Sequence, residues 1–91
     1  MTKMYFVYVL RNVRANKSYV GHTSDLKRRI IEHNNPNFNP KRYTKKIPGP
    51  WELIYKEGYS KRSEAMRKEM FLKSGQGREW LKKLFEKPHF S

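Results

Sequence analysis

Lys3-Met4-Tyr5-Phe6-Val7-Tyr8-Val9-Leu10-Arg11 is the stretch that decides the fold. Its interior is an almost unbroken run of aromatic and β-branched residues, which predicts a strand buried on both faces. Such a strand needs neighbours on both edges, because every backbone N–H and C=O taken out of water must find a partner. Asn12–Asn16 reads as a polar turn and Lys17–Gly21 as a second strand, the two strands forming an antiparallel hairpin. With a four-residue loop at Asn12–Ala15, Arg11 faces Asn16 and Tyr8 sits opposite Tyr19, so both phenols project from one face. The other neighbour is the strand that starts at Trp51, runs through Tyr55 and continues to about Gly58.

The segments between and beyond the strands read as helices. Thr23 or Ser24 caps the first, with Asp25 in its first turn, and it runs to about Asn34. Leu26, Ile30 and His33 fall on one stripe of it. The stretch 34–50 mixes Asn and Pro with Lys41, Arg42, Lys45 and Lys46, and reads as a long basic loop. Ser60 caps a second helix that ends at Lys73, with Gly75 as a left-handed terminator. Gly77–Glu86 forms a last helix with Trp80, Leu81, Leu84 and Phe85 on its apolar edge. The order ββα, loop, βαα predicts an α+β fold, a three-stranded antiparallel sheet flanked by helices, in one domain over residues 1–91.

Composition narrows the partners. The 91 residues include 21 Lys and Arg against 8 Asp and Glu, a formal charge of +13. Hydrophobic residues make up only 36% of the chain, so the core is thin and the aromatic side chains, 14%, must fill it. The absence of cysteine excludes disulfides, thiolate zinc sites and thiol nucleophiles. No apolar run approaches the ~20 residues of a membrane span, and the N-terminus lacks a signal-peptide layout. A soluble cytoplasmic protein is expected. Clustered Lys and Arg attract phosphates and release counterions on binding, so the charge points to nucleic acid. A membrane partner is not expected, because the basic residues do not line one amphipathic helix.

Three features call for an account beyond packing. Tyr8 and Tyr19 share a face of the hairpin. On the second helix, at roughly 100° per residue, Glu69 falls about 40° from Ala65, inside the arc with Ala65, Met66, Met70 and Leu72, while Glu64 falls at about 260°, on the polar side. A carboxylate facing the core needs a basic partner or a cation, and one carboxylate suits Mg²⁺. On the first helix, Arg28 points to solvent, whereas Arg29 flanks the buried stripe next to His33, where its planar fork suits a phosphate.

Phe6-Val7-Tyr8, Tyr19-Val20-Gly21, Asp25-Leu26-Lys27-Arg28-Arg29-Ile30 and Glu32-His33-Asn34, with Tyr43-Thr44 and Ser63-Glu64-Ala65 through Glu69, resemble the GIY-YIG endonuclease superfamily, and more closely its small stand-alone bacterial members. The first motif lacks its glycine but keeps its tyrosine. The resemblance implies a metal-dependent nuclease with Tyr8, Tyr19, Arg29 and His33 as catalytic residues and Glu69 as ligand of one Mg²⁺ or Mn²⁺ ion. Lys27, Lys41, Arg42, Lys45 and Lys46 would contact nucleic acid, which on this resemblance is DNA in preference to RNA. The alternative is a non-catalytic nucleic-acid-binding module on the same scaffold. Catalysis in one cleft requires Tyr8, Tyr19, Arg29 and Glu69 to converge on a partly exposed concave surface, with His33 at its margin and Arg29 free to pair with Glu69. A Tyr8 or Tyr19 sealed in the core, or a Glu69 across the sheet from Arg29, is expected to defeat the nuclease assignment itself for this chain.

Overall fold

The run Val7–Leu10 is buried on both faces, as its composition requires. The computed structural model describes residues 3–12, 17–35 and 50–86, and places this run in the central strand of a three-stranded antiparallel sheet. The elements in chain order are β1 (Tyr5–Asn12), β2 (Lys17–Thr23), α1 (Leu26–Asn34), β3 (Trp51–Tyr59), α2 (Arg62–Lys73) and α3 (Gly75–Glu86). The sheet order is β2-β1-β3, so β1 has a partner on each edge. Of the basic loop expected over 34–50, Asn34 belongs to α1, and residues 36–49, Tyr43 and Thr44 among them, lie outside the described residues.

The hairpin register differs from the expected one. Tyr8 pairs with Gly21, Leu10 with Tyr19 and Asn12 with Lys17. The slip is by two residues, which preserves the face of every side chain. Tyr8 and Tyr19 therefore still project together, as diagonal neighbours with ring centroids 6.1 Å apart. Ring volume explains the choice: each tyrosine needs the space that a side chain opposite Tyr8 would fill, and Gly21 leaves it open.

Two apolar clusters sandwich β1. Tyr8, Leu10 and Trp51 pack with Tyr19, Leu53 and, from α1, Leu26 and Ile30. On the other face Val7, Val9 and Val20 pack with Leu72 of α2 and Leu81 and Leu84 of α3. The register of β3 shifts between Val9 and Leu10, where Tyr55 and Leu53 are the successive partners and Ile54 is the extra residue. That bulge switches the parity of β3. Trp51 and Leu53 thus face α1, while Tyr55 and Tyr59 face α2 and α3. Asn34 ties the end of α1 to the start of β3 in both directions, its amide nitrogen donating to the Trp51 carbonyl at 3.1 Å and its amide oxygen accepting from the Trp51 N–H at 2.9 Å.

The helix ends depart from expectation. Asp25, not Thr23 or Ser24, caps α1, its carboxylate accepting from the Arg28 N–H at 3.1 Å. Thr23 supports that turn by accepting from the Asp25 N–H at 3.1 Å. Ser60 does not cap α2; its hydroxyl reaches the Glu64 carboxylate at 3.4 Å, and Lys61 occupies the cap position. Only a narrow stripe of α2 through Ala65 and Leu72 is buried, so Met66 and Met70 lie exposed. Gly75 opens α3 rather than terminating α2. The stop is Ser74, whose hydroxyl donates to the Phe71 carbonyl at 2.5 Å and accepts from the Gly77 N–H at 3.2 Å. One hydroxyl thus adds a second bond to the Phe71 carbonyl, which also accepts from the Ser74 N–H at 3.0 Å, and satisfies an orphan donor of α3. The expected apolar edge of α3 holds for Leu81, buried, and Leu84, half-buried. Trp80 is exposed, with its ring edge-on to Tyr55, and the side chain of Phe85 lies outside the described residues.

Glu57 sits on β3 between two tyrosines and accepts a hydrogen bond from each hydroxyl, of Tyr55 and of Tyr59. Those bonds hold its carboxyl below the ordinary value of 4.5. Burial first, then the hydrogen bond to Glu57, raises both phenols, Tyr59 to about 12.

These local constraints can be tested by unfolding. A Cβ at Gly77 would lie 1.9 Å from the Phe71 carbonyl oxygen and 2.4 Å from the Leu72 Cα, both backbone atoms that cannot swing aside. Gly77→Ala is expected to lose about 3 kcal/mol or more, the top of the overpacking range. Gly75→Ala, with nothing within 4 Å, is expected to be neutral or slightly stabilising, and urea unfolding of the pair checks both. The Glu57 array works at both pH extremes. A lowered carboxyl contributes stability above its unfolded value that is lost as pH falls through the folded one, and raised phenols contribute below theirs and lose it as pH rises. Glu57→Gln should flatten the acid limb of the stability–pH profile and reduce the alkaline one only in part, because burial, the larger cause of the raised phenols, persists.

Candidate nucleic-acid site at the edge of the sheet

Gly21 is where the site begins. A Cβ there would stand 2.7 Å from the Tyr8 hydroxyl oxygen and 2.9 Å from Cε1 of Tyr19. The missing side chain lets both phenols lie over β2, and α1 brings His33 down onto them. The Tyr8 hydroxyl and His33 Nε2 share a hydrogen bond of 2.8 Å, and the Tyr19 ring centroid lies 4.8 Å from that of His33. Tyr8 is 1% exposed and His33 2%. His33 is therefore at the centre of this cluster and not at its margin, and the Tyr8 hydroxyl is sealed. Tyr19 is the half-exposed member of the three.

Arg29 lies where its helical angle puts it. Its side chain is 29% exposed against 75% for Arg28, and both guanidinium groups meet the Glu32 carboxylate, at 3.5 and 3.1 Å. Arg29 opens on a cleft of about 290 Å³ that it shares with Thr23, Ser24, Asp25 and Glu32. Lys27 is exposed on α1. Lys41, Arg42, Lys45 and Lys46 lie outside the described residues.

Glu69 lies across the sheet from Arg29. It hangs from α2 on the Val7–Val9–Val20 face, and its carboxylate meets His22 Nδ1 at 2.7 Å and Lys73 Nζ at 3.5 Å. Arg29 is thus held by Glu32 and Glu69 by His22 and Lys73, in place of the expected pair between them. Tyr8, Tyr19, Arg29 and Glu69 do not converge on one open concave surface. His22 was not among the residues expected at the site, although strand alternation puts residue 22 on the face opposite Tyr19 and Gly21, the face that α2 covers.

The two halves nevertheless approach at one place. β2 is an edge strand, and His22 and Thr23 are consecutive residues at its end, so groups on its two faces are separated only by the strand's own rim. A second cleft, of about 330 Å³, is lined by Ser18, Tyr19 and Val20 of this edge strand and by Leu72, Lys73, Arg78 and Leu81. Among the described residues no group of three or more His, Asp or Glu side chains is arranged to hold a metal ion. Glu69, at 17% exposure, offers one accessible carboxylate, a donor set that fits a hard cation keeping most of its waters.

The crowding at Gly21 is testable. Gly21→Ala should cost about 1–3 kcal/mol in denaturant unfolding, because two rings must move off their rotamers. The cost should be smaller in a Tyr8→Phe background, where the nearest atom is gone, and a double-mutant cycle measures the difference.

Comparison with known proteins gives the family. The GIY-YIG catalytic domain pattern matches residues 4–83. The UPF0213 protein SERP0126 of Staphylococcus epidermidis is 35% identical over 82 residues, spanning 90% of this chain and 95% of its own. YazA of Bacillus subtilis, also a UPF0213 protein, is 38% identical over 72 residues, 79% of this chain and 69% of its own. The solution structure of the UPF0213 protein BH0048 from Bacillus halodurans superposes with a TM-score of 0.54 at 31% identity, covering 93% of this chain and 88% of that one. With the tyrosine pair, the Arg29 helix and the β2-β1-β3 sheet all in place, the chain belongs to the GIY-YIG family, among its small UPF0213 members.

Proposed function

We propose that this domain hydrolyses phosphodiester bonds in DNA with one divalent cation, Mg²⁺ or Mn²⁺, held at Glu69. The observation that carries the reading is that Tyr19 and Lys73, the latter bonded to Glu69, line one cleft along the rim of β2. A strand laid on that rim would be within reach of groups from both faces. Tyr8 is sealed and Glu69 is across the sheet, the two conditions expected from the sequence to defeat a nuclease. The reading therefore departs from the one-cleft enzyme and stands only as a site divided across the edge of β2. Arg29 neutralises charge that develops on the phosphorane, exchanging Glu32 for the substrate phosphate. Tyr19, the accessible phenol, orients the attacking water; a phenol is too weak a base near neutral pH to be assigned more. Tyr8 and His33 are positioning residues that fix the Tyr19 ring. A bound Mg²⁺ supplies Lewis acidity toward a phosphate oxygen.

A second reading, a non-catalytic nucleic-acid-binding module, draws support from the burial of Tyr8 and the occupied carboxylate of Glu69. One assay separates the two, using plasmid, branched and single-stranded DNA with Mg²⁺, with Mn²⁺ and with EDTA. The nuclease should cleave only with cation, and Glu69→Gln should lose at least about 10²-fold in rate while binding persists in EDTA. Binding without cleavage, indifferent to Glu69→Gln, makes the domain a binder.

A further inference from the structure

The cleft along the rim of β2 contains a cation that neither nuclease chemistry nor packing accounts for. Its floor is apolar, formed by Val20, Leu72 and Leu81. Tyr19, Lys73 and Arg78 also line the cleft. Lys73 shares Glu69, while Arg78 is exposed and makes no ion pair among the described residues. Lys73 and Arg78 line the same cleft, and both stay exposed to solvent. An apolar floor with two cations along it suits a nucleotide unit, whose phosphate meets the charges while its sugar and base cover the floor. At about 330 Å³ the cleft is at the low end for a small-ligand site and admits one such unit at a time.

From this placement we infer that Lys73 and Arg78 form a backbone-phosphate subsite for a nucleic-acid strand running along the outer edge of β2, next to the phosphate handled by Tyr19. The inference rests on the nucleic-acid reading above and adds the track the strand follows. Lys73 then has a second role. On meeting phosphate it releases Glu69, so strand binding and exposure of that carboxylate are coupled.

Fluorescence anisotropy with a labelled single-stranded oligonucleotide, in EDTA and over about 50–200 mM salt, tests the subsite without cleavage. Losing one phosphate contact on a single strand should reduce the log–log salt slope by about 0.7 and the affinity by about fivefold near 0.1 M salt. Arg78→Ala and Lys73→Gln are each expected to show this loss. Arg67→Ala, which removes an exposed charge from α2 outside the cleft, is expected to show much less. Equal losses for Arg78→Ala and Arg67→Ala would reduce the effect to net charge and overturn the subsite, as would an unchanged slope for Arg78→Ala. A wild-type chain that fails to bind in EDTA overturns the nucleic-acid reading and the subsite together, so the two failures are distinguishable.

Discussion

Everything in this fold depends on β1 having no free edge and no free face. With Val7, Tyr8, Val9 and Leu10 all at 1% exposure or less, the strand has no water to satisfy its backbone, so β2 and β3 must both pair with it. Burial on both faces in turn demands a helical layer on each side, α1 over Tyr8 and Leu10 and the α2–α3 pair over Val7 and Val9. In a chain with 36% hydrophobic residues this is an economical solution, since one strand serves two cores. It also divides the chemistry. Whatever hangs from α1 is on one side of the sheet and whatever hangs from α2 is on the other.

That division explains what the sequence could and could not reveal. The central strand was legible because composition alone marks two-sided burial, and the angle of Arg29 was legible because nine residues of α1 follow one period. The register was not. Strand patterning has period two and is blind to a slip of two residues, so the opposition of Tyr8 and Gly21 is decided by ring volume at Gly21. The side of the sheet on which Glu69 falls was likewise hidden, because a helical angle places a residue relative to its own helix and says nothing of which face that helix covers. The switch at Ser74 escaped for a different reason. A glycine close to a helix break attracts the reading of a terminator, whereas the bonds run through the serine hydroxyl and Gly77 is needed for close approach.

Acidic residues are scarce enough that the placement of each one is informative. Among 8 acids facing 21 cations, pairing with a basic side chain is the default. Glu32 follows it, holding Arg28 and Arg29. Glu57 departs from it, held by two phenols on β3, which makes it a structural group with no spare oxygen for a ligand. Glu69 is intermediate, with one oxygen on an imidazole and the other on a half-exposed ammonium at the long distance of 3.5 Å. An exposed ion pair of that length contributes little to stability, so exchanging it for another cation costs little.

The edge strand then acquires a role that a central strand could not have. Side chains at consecutive positions of a strand point to opposite faces, and inside a sheet the neighbouring strands keep those faces apart. At β2 there is a neighbour on one side only, so His22 with Glu69 and Thr23 with the Arg29 cleft sit at consecutive positions on opposite faces of the sheet's open edge. On the proposed function, a polynucleotide with a phosphate at each step is the ligand that could span such a divided site, following the edge without entering a pocket. The same geometry accounts for the burial of Tyr8: it lies one strand further in, opposite Gly21, where it can brace His33 and Tyr19 but cannot reach the rim.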